Sequence, residues 1–320
     1  MDMSTSSDGP CIPVDDELLS RWPLPDPAAA TDKDDRGRIL LVGGSAEMPG
    51  ALVLAALGAM RAGAGKLCLA TARSISAHIA QAIPEARVIA LEETREGGLL
   101  APTIGELPIC HVDAILIGPG MQDTQATQAI TRAILAGAPT VPVVLDALAL
   151  ETLKVDDWQT LIDTRMSAPH ATNSKASSAI VITPHAGEMA SLLQLKKSAV
   201  ENDKQRATVS AAKRWRTLVA GKGATTHIAS PAGEVWIHAG GNVGLATSGS
   251  GDVLAGVITG LCARGAPVEQ ATAWAVRLHA LAGDQLVQRY GRVGYLAREI
   301  PEHIPRLMEA YAEDMASTLS

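Results

Sequence analysis

The chain is 320 residues long, with 47% hydrophobic and 19% charged residues, which is enough to bury one large α/β core. Its net charge of −7, together with no Phe, three Tyr and five Trp, argues against nucleic acid as a partner, because nucleic-acid binding normally needs a basic face and aromatic stacking platforms. The four cysteines lack C-x-x-C spacing, which predicts free thiols. The N-terminus has acids where a signal peptide would carry Lys or Arg, and no apolar stretch reaches membrane-spanning length. We therefore expect a soluble, cytoplasmic protein without membrane contact.

Residues 1–36 are rich in Pro, Asp, Ser and Ala and show no periodicity, which predicts an irregular N-terminal lead-in. From Ile39 onward, short apolar runs alternate with helical patterns. The predicted strands lie at residues 39–42, 66–70, 114–117, 141–145 and 179–182, and the predicted helices lie at 49–62, at 124–135 and from 185 onward. Buried runs separated by helices are typical of an α/β protein whose mostly parallel sheet carries helices on both faces.

The second half of the chain has a different pattern. Residues 163–178 lose their apolar content and predict an exposed polar loop of unassigned role. Three strand-like pieces follow at 217–219, 225–228 and 234–238, and their short connections predict antiparallel pairing at one edge of the sheet. From Ser250 onward the pattern is helical. We therefore expect a single catalytic domain over residues 37–312 and a C-terminal tail over residues 313–320.

A glycine-dense segment, residues 240–252, runs directly into the apolar helix pattern of residues 253–261. The first amides of a helix lack partners and the helix dipole adds roughly half a positive charge there, so this helix start predicts a phosphate site. Asp252 stands in its first turn. An aspartate there is most often an N-cap, but beside a phosphate cradle it also suits the role of a base that takes a proton from an attacking hydroxyl.

Four other turns follow predicted strands, at the end of a sheet where α/β proteins bind ligands. They are residues 43–51, 117–120, 183–188 and 222–226. The last offers a lysine, a tight turn and hydroxyls, although its spacing is not that of a Walker A loop, and a plain hairpin turn with a solvated lysine explains it equally well. His185 is either a structural histidine or a titratable group of a site. No metalloprotease or hydrolase motif accompanies them.

Taken together, the chain resembles the ribokinase-like superfamily and, within it, the NAD(P)H-hydrate dehydratase family, whose bacterial members are ADP-dependent. The similarity runs from about Pro13 to about Met308. It is carried, in the family's order, by the motifs GRILLVGGSAEMPGALVLAALGAMRAGAGK, ILIGPG, VVLDALAL, VITPHAGEMASLL, KGATTHIASPAGEVWIHAGGN and GLATSGSGDVLAGVITGL. Several motifs in one order are far more specific than any one of them.

The resemblance implies a role for each matching residue. Six of them would contact the nucleotide: Lys222, Gly223, Ala224, Thr225, Thr226 and Gly251. Four would contact the hydrated nicotinamide nucleotide: Ala51, Gly120, His185 and Asp252, of which Asp252 would be catalytic. Glu188 would belong to a magnesium network whose ligands the sequence leaves open. The resemblance also implies a ribokinase-like fold and a homotetramer.

The implied reaction repairs (6S)-NAD(P)HX, a reduced nicotinamide carrying a hydroxyl at carbon six. ADP, or alternatively ATP, would phosphorylate that hydroxyl, and elimination of phosphate would restore NAD(P)H and leave AMP. Many relatives carry an epimerase domain before this one, so we expect a separate epimerase as functional partner. Two alternatives remain open: a small-molecule kinase of the same fold acting on a thiazole, pyridoxal or sugar-type hydroxyl, and a nucleotide sensor without catalysis.

Overall fold

One mostly parallel sheet organises the computed structural model, which describes residues 11–26, 32–33, 36–100, 107–167 and 180–319. Ten strands of these described residues take part, in the spatial order β1-β10-β9-β8-β7-β6-β5-β2-β3-β4. Their bounds are β1 (Cys11–Pro13), β2 (Arg38–Val42), β3 (Lys66–Ala72), β4 (Arg87–Leu91), β5 (Ala114–Ile117), β6 (Val143–Leu145), β7 (Ile180–Ile182), β8 (Leu218–Gly221), β9 (Thr225–Ala229) and β10 (Val235–Ala239).

The central strands are paired in parallel, and their sequences are apolar on both faces. Every residue of β5, β6 and β7 is buried, as expected of strands covered by helices on both sides. The antiparallel pieces predicted after Arg216 are also confirmed: β9 pairs antiparallel with both β8 and β10. They do not form the edge of the sheet, because β1 pairs in parallel with β10 outside them.

Helices cover the sheet, and the described residues contain eleven α-helices. They are α1 (Asp16–Arg21), α2 (Pro49–Arg61), α3 (Ser76–Ala82), α4 (Thr124–Gly137), α5 (Trp158–Ser167), α6 (Ala186–Leu193), α7 (Lys197–Asn202), α8 (Lys204–Trp215), α9 (Ser250–Ala263), α10 (Val268–Tyr290) and α11 (Ile300–Leu319). None of these helices combines the length and the apolar character needed to cross a membrane.

Helices α2 and α9 pack almost backbone to backbone. A Cβ placed on Gly256 of α9 would lie 2.0 Å from the carbonyl oxygen of Ala55 in α2, and a Cβ placed on Gly58 of α2 would lie 2.5 Å from the carbonyl oxygen of Val253 in the first turns of α9. Only glycine tolerates so close an approach. The two glycines therefore allow α9 to lie directly against α2.

The chain order reverses between β2 and β5. From β2 the chain builds β3 and β4 on one side, and then returns to place β5 on the other side of β2. The turns after the two strands touch, since the Gly44 amide donates a hydrogen bond of 2.8 Å to the Pro119 carbonyl. Such a switch point leaves a crevice at the carboxyl ends of the strands, where ligands of α/β sheets bind.

The N-terminal lead-in differs from its prediction. Residues 11–13 form β1, and Asp15 caps α1 by accepting a 2.9 Å hydrogen bond from the Leu18 amide. Strand β1 is only three residues long, which is too short to give the sequence a visible periodicity. It is a strand because it pairs with β10. Residues 1–10 lie outside the described part of the chain.

Two other predicted irregular segments contain helix. The polar stretch 163–178 begins inside α5, and its remaining residues from 168 onward lie outside the described ones. Within α5, the buried guanidinium of Arg165 donates to the carbonyls of Leu135, Ala138 and Val141. The predicted C-terminal tail, residues 313–320, is the last part of α11 as far as Leu319.

Candidate active site

Helix α9 begins without a side-chain cap. Its N-cap is Gly249, with φ of 90°, and no side chain accepts from the first amides. Ser250, Gly251 and Asp252 are the first three residues of the helix. Asp252 is therefore not the N-cap, so the interpretation of this residue as a helix cap is wrong. The uncapped amides and the helix dipole favour an anion at this point.

A buried ion pair lies beside this helix start. The Lys222 ammonium is 2.7 Å from Oδ1 of Asp146, and the two side chains are only 17% and 3% exposed. The Thr183 hydroxyl donates a further 2.7 Å hydrogen bond to the same carboxylate oxygen. A Cβ placed on Gly251 would lie 3.1 Å from the Lys222 ammonium, so the cation sits against the first turn of α9.

The main chain holds Lys222 in place. It forms an isolated parallel β-bridge with His185, in which the Lys222 amide donates 2.9 Å to the Pro184 carbonyl. Residues 183–188 follow β7, and Lys222 directly follows β8, which is the next strand in the sheet. The carboxyl ends of two neighbouring strands thus bring together the polar turns that the sequence predicted as separate features.

The charges in this cluster act on one another. Burial alone would lower the pKa of Lys222, but the carboxylates of Asp146, Glu188 and Asp252 together raise it, so the lysine is a cation. Burial, and after it the negative charges of Asp146 and Glu188, raise the pKa of Asp252 to about 7, although the Lys222 cation opposes them. A carboxyl group that titrates near neutral pH is suited to accept and release a proton there.

A cavity of about 650 Å³ opens next to the cluster. Of the residues predicted to contact a nucleotide, five line it: Lys222, Gly223, Ala224, Thr226 and Gly251. Thr225 does not, because neighbouring residues of a strand point to opposite faces, and the Thr225 carbonyl accepts from the Lys204 ammonium of α8. The remaining walls are largely apolar and include Leu245, Leu254, Val276 and Ala280.

His185 lines the same cavity and also caps α6. Its Nδ1 accepts from the amides of Gly187 and Glu188 at 3.0 and 3.1 Å, so the ring proton is on Nε2 when the ring is neutral. Glu188 completes the capping box by accepting from the His185 amide at 2.8 Å. The Nδ1 atom of His185 therefore has a structural role, because it caps α6. The Nε2 atom lies on the exposed side, 3.6 Å from a Glu188 oxygen.

The site contains carboxylates that could contribute to binding a metal ion. Among the described residues, however, no group of three or more His, Cys, Asp or Glu side chains is placed to hold a metal ion by itself. Magnesium in nucleotide sites is usually held by one or two carboxylates together with water and phosphate oxygens. Asp146, Glu188 and Asp252 act electrostatically on the same lysine, so they fit a metal that arrives with a nucleotide.

The two remaining predicted residues meet at the switch point of the sheet. A Cβ placed on Gly120, which has φ of 68°, would lie 3.1 Å from the Ala51 Cβ and 2.3 Å from the Met48 carbonyl oxygen. Ala51 is one helical turn from Leu54, and a Cβ on Gly249 would lie 2.3 Å from Leu54. Helix α2 therefore connects this crevice to the start of α9.

Two further residues of the site, Asp146 and His279, are not among those predicted from the sequence. Asp146 directly follows β6, so its position at the carboxyl end of a strand is a signal that the sequence does carry. His279 lies within the long helix α10 and carries no such signal. Its Nε2 is 3.1 Å from both the carbonyl and the hydroxyl oxygen of Ser250, and burial lowers its pKa to about 4.

The sheet, its covering helices and the uncapped helix start are those of a ribokinase-like α/β protein, and solved ribokinase-like structures share the fold. A family model described as NAD(P)H-hydrate dehydratase matches residues 39–306. The chain belongs to the NAD(P)H-hydrate dehydratase family.

Individual relatives agree with this assignment. The chain is 44% identical over 292 residues to an ADP-dependent (S)-NAD(P)H-hydrate dehydratase of Xanthomonas campestris, covering 91% of this chain and 94% of the relative. It is 34% identical over 308 residues to a bifunctional NAD(P)H-hydrate repair enzyme of Moorella thermoacetica, covering 95% of this chain and 56% of that enzyme. Its structure resembles the Bacillus subtilis ADP/ATP-dependent NAD(P)H-hydrate dehydratase co-crystallised with ATP and Mg²⁺, with a TM-score of 0.75, 28% identity and coverage of 94% and 99%.

Proposed function

We propose that the protein is an ADP-dependent dehydratase that converts (6S)-NAD(P)HX and ADP to NAD(P)H, AMP and phosphate. The observation that carries the proposal is the position of Asp252, a carboxyl group with its pKa raised to about 7 in the first turn of an uncapped helix. A base next to an anion site suits the transfer of a phosphoryl group to a hydroxyl.

Asp252 takes the proton of the hydroxyl on carbon six while the hydroxyl oxygen attacks the terminal phosphorus of ADP. The bond from that phosphorus to the bridging oxygen breaks, and AMP leaves. The first amides of α9 and the Lys222 ammonium stabilise the negative charge that develops on the transferred group. Most phosphoryl-transfer catalysis comes from such positioning and charge stabilisation.

The phosphorylated substrate then loses phosphate. The lone pair of the ring nitrogen expels the phosphate from carbon six, a proton leaves the neighbouring carbon five, and the double bond of the reduced nicotinamide is restored. Phosphate is a far better leaving group than hydroxide. The protein's role in this step is to hold the ring in the crevice formed by Ala51 and Gly120, with His185 at the boundary to the nucleotide cavity.

The nucleotide lies in the 650 Å³ cavity, with its phosphates at Lys222 and Gly251 and its remaining parts along Gly223, Ala224 and Thr226. A magnesium ion bound with the phosphates would neutralise part of their charge. Glu188 would orient its water shell, because one of its carboxylate oxygens is fixed by the capping box.

Three further elements of the proposal have narrower support. Pairing with an NAD(P)HX epimerase is supported by the bifunctional Moorella relative, of which this chain matches 56%. A homotetramer rests on the resemblance to the family, and a cytoplasmic location rests on the widely spaced cysteines, which suit a reducing compartment. Sedimentation of the purified protein tests the tetramer.

The experiment is to incubate the protein with hydrated NADH and either ADP or ATP, with magnesium, and to follow the absorbance of reduced nicotinamide. We expect absorbance to return with ADP, accompanied by equal amounts of AMP and phosphate. A stable phosphorylated product without recovered NADH would instead indicate a small-molecule kinase. Nucleotide binding without any product would indicate a sensor.

A further inference from the structure

His238 of β10 is buried, with 3% of its surface exposed, yet it lines the nucleotide cavity. Its Nδ1 is 2.9 Å from the carbonyl oxygen of Val14, which follows β1. A carbonyl oxygen can only accept, so Nδ1 carries the ring proton and donates it. Burial lowers the pKa of His238, and Arg277 adds to this effect, so the ring is neutral. The remaining nitrogen, Nε2, is therefore a lone-pair acceptor.

Nε2 has no hydrogen-bond partner among the described residues, although it is buried. Buried acceptors are normally satisfied, and an unsatisfied one in a native structure calls for an explanation. The ring cannot turn round to remove the problem, because Nδ1 is tied to Val14. A ligand that brings a donor into the cavity would supply the missing partner.

The surroundings of His238 restrict what that ligand group can be. His238 is directly opposite Thr226 on β9, both residues line the cavity, and much of the rest of the lining is apolar. A Cβ on Gly240 would lie only 2.6 Å from Nε2, so any larger residue at this position would crowd the nitrogen. A flat, largely apolar group with an N–H donor at its edge fits this end of the cavity, while the phosphates take the charged end at Lys222.

We propose that His238 selects the base of the nucleotide, with Nε2 accepting a hydrogen bond from the exocyclic amine of an adenine. The proposal rests on the nucleotide site described under the proposed function. A guanine or hypoxanthine base presents a carbonyl oxygen at the corresponding position, and two acceptors facing each other repel. The Val14 carbonyl is a positioning group, because it fixes the ring tautomer that makes Nε2 an acceptor.

The test compares three nucleotides by equilibrium binding to the full chain: ADP, purine riboside diphosphate, which lacks the amine, and inosine diphosphate, which replaces the amine with a carbonyl. We expect the wild-type protein to bind ADP about tenfold more tightly than purine riboside diphosphate and inosine diphosphate more weakly still, since a lost hydrogen bond of ordinary strength corresponds to about a factor of ten. Equal affinity for ADP and purine riboside diphosphate would overturn the proposal without any variant.

Variants separate recognition from structural support. In His238→Phe we expect ADP and purine riboside diphosphate to bind equally. Gly240→Ala, which crowds Nε2 but leaves the bond to Val14, should reduce the preference for ADP as well. If His238→Phe lowers the melting temperature but keeps the wild-type ratio of the affinities for ADP and purine riboside diphosphate, His238 only anchors β1 and the proposal is wrong. Dehydratase activity with ADP but no discrimination against inosine diphosphate would overturn this inference alone, whereas absence of all nucleotide binding would overturn the proposed function with it.

Discussion

The Lys222 ammonium lies 2.7 Å from Oδ1 of Asp146, and this buried pair holds a cation against the first turn of α9. Three carboxylates, those of Asp146, Glu188 and Asp252, raise the pKa of this one lysine. The cluster is therefore net negative before any phosphate enters. Burial, together with the two neighbouring carboxylates, raises the pKa of Asp252 to about 7, so this carboxyl group can be protonated near neutral pH. The excess of negative charge is the reason that a divalent cation is expected to accompany the nucleotide.

Lys222→Met should both destabilise the protein and weaken nucleotide binding. Removing one partner of a buried ion pair leaves the Asp146 charge uncompensated, which typically costs about 3–5 kcal/mol of the free energy of unfolding. Denaturant unfolding and ADP titration measure the two effects. The double variant Asp146→Asn/Lys222→Met should recover part of the stability but none of the ADP affinity. A single variant as stable as wild type would show that the pair is not buried as described.

Asp252→Asn should strongly reduce turnover while leaving ADP binding within about threefold of wild type. Loss of a general base typically lowers the rate by about 10²–10⁴-fold. Asp156→Asn, an exposed aspartate away from the cluster, is the matched control and should keep full activity. Equal kcat for Asp252→Asn and wild type would refute the role of Asp252 as base.

The same carboxyl group predicts how activity depends on pH. The base must be deprotonated to act, so kcat/KM should rise with pH and level off above an inflection near the pKa of Asp252 of about 7. The unliganded enzyme determines this profile. A kcat/KM that is flat between pH values of about 5.5 and 8.5, on either side of this pKa, would contradict the assignment.

Asp252 also predicts how stability depends on pH. Its folded-state pKa is raised above the ordinary value of 3.8, so the native state binds its proton more tightly than the unfolded state does. Stability should therefore fall as pH rises from about 4 to about 7. At pH 8 Asp252→Asn should be more stable than wild type by roughly 1–3 kcal/mol, a value reduced for the partial exposure of the group. The difference should vanish below pH 4, and denaturant melts at both pH values measure it.

Gly120→Ala should damage the predicted substrate crevice. The residue has φ of 68°, and its new Cβ would lie 2.3 Å from the Met48 carbonyl oxygen, so the turn after β5 must shift. We expect a higher KM for the hydrated nucleotide and little change in ADP binding. Gly50→Ala is the control on the neighbouring helix, because nothing lies within 4 Å of its Cβ. An unchanged KM for Gly120→Ala would remove Gly120 from the substrate site.

Much of the fold was predictable because its strands are continuous apolar runs with helices between them. The runs that became β2, β3, β5, β6 and β7 needed no tertiary information. Strand β4 was missed although its residues 88–91 form an apolar run of the same kind, preceded by an exposed Arg87. Strand β1 and the end of α5 were missed because β1 depends on pairing with β10, and Arg165 is buried only by carbonyls from distant parts of the chain.

The site was predictable where chemistry follows a strand end or a helix start. Lys222, His185 and Asp252 carried such signals, and the structure brings them together. His238 and His279 carried no such signal. The tautomer and the burial of these rings are determined by contacts with distant parts of the chain that form only in the folded protein. Thr225 was predicted from a motif of consecutive residues but does not line the cavity, because neighbouring residues of a strand point to opposite faces.

In the proposed reaction the substrate's own hydroxyl is phosphorylated and then leaves as phosphate. A substrate carrying heavy oxygen in the hydroxyl on carbon six tests this order of steps, by mass analysis of the inorganic phosphate after one turnover with ADP. We expect the label to appear in the phosphate, with one AMP formed per restored NADH. Label released into water, with unlabelled phosphate, would mean that the hydroxyl is lost without being phosphorylated, and the proposed mechanism would be wrong.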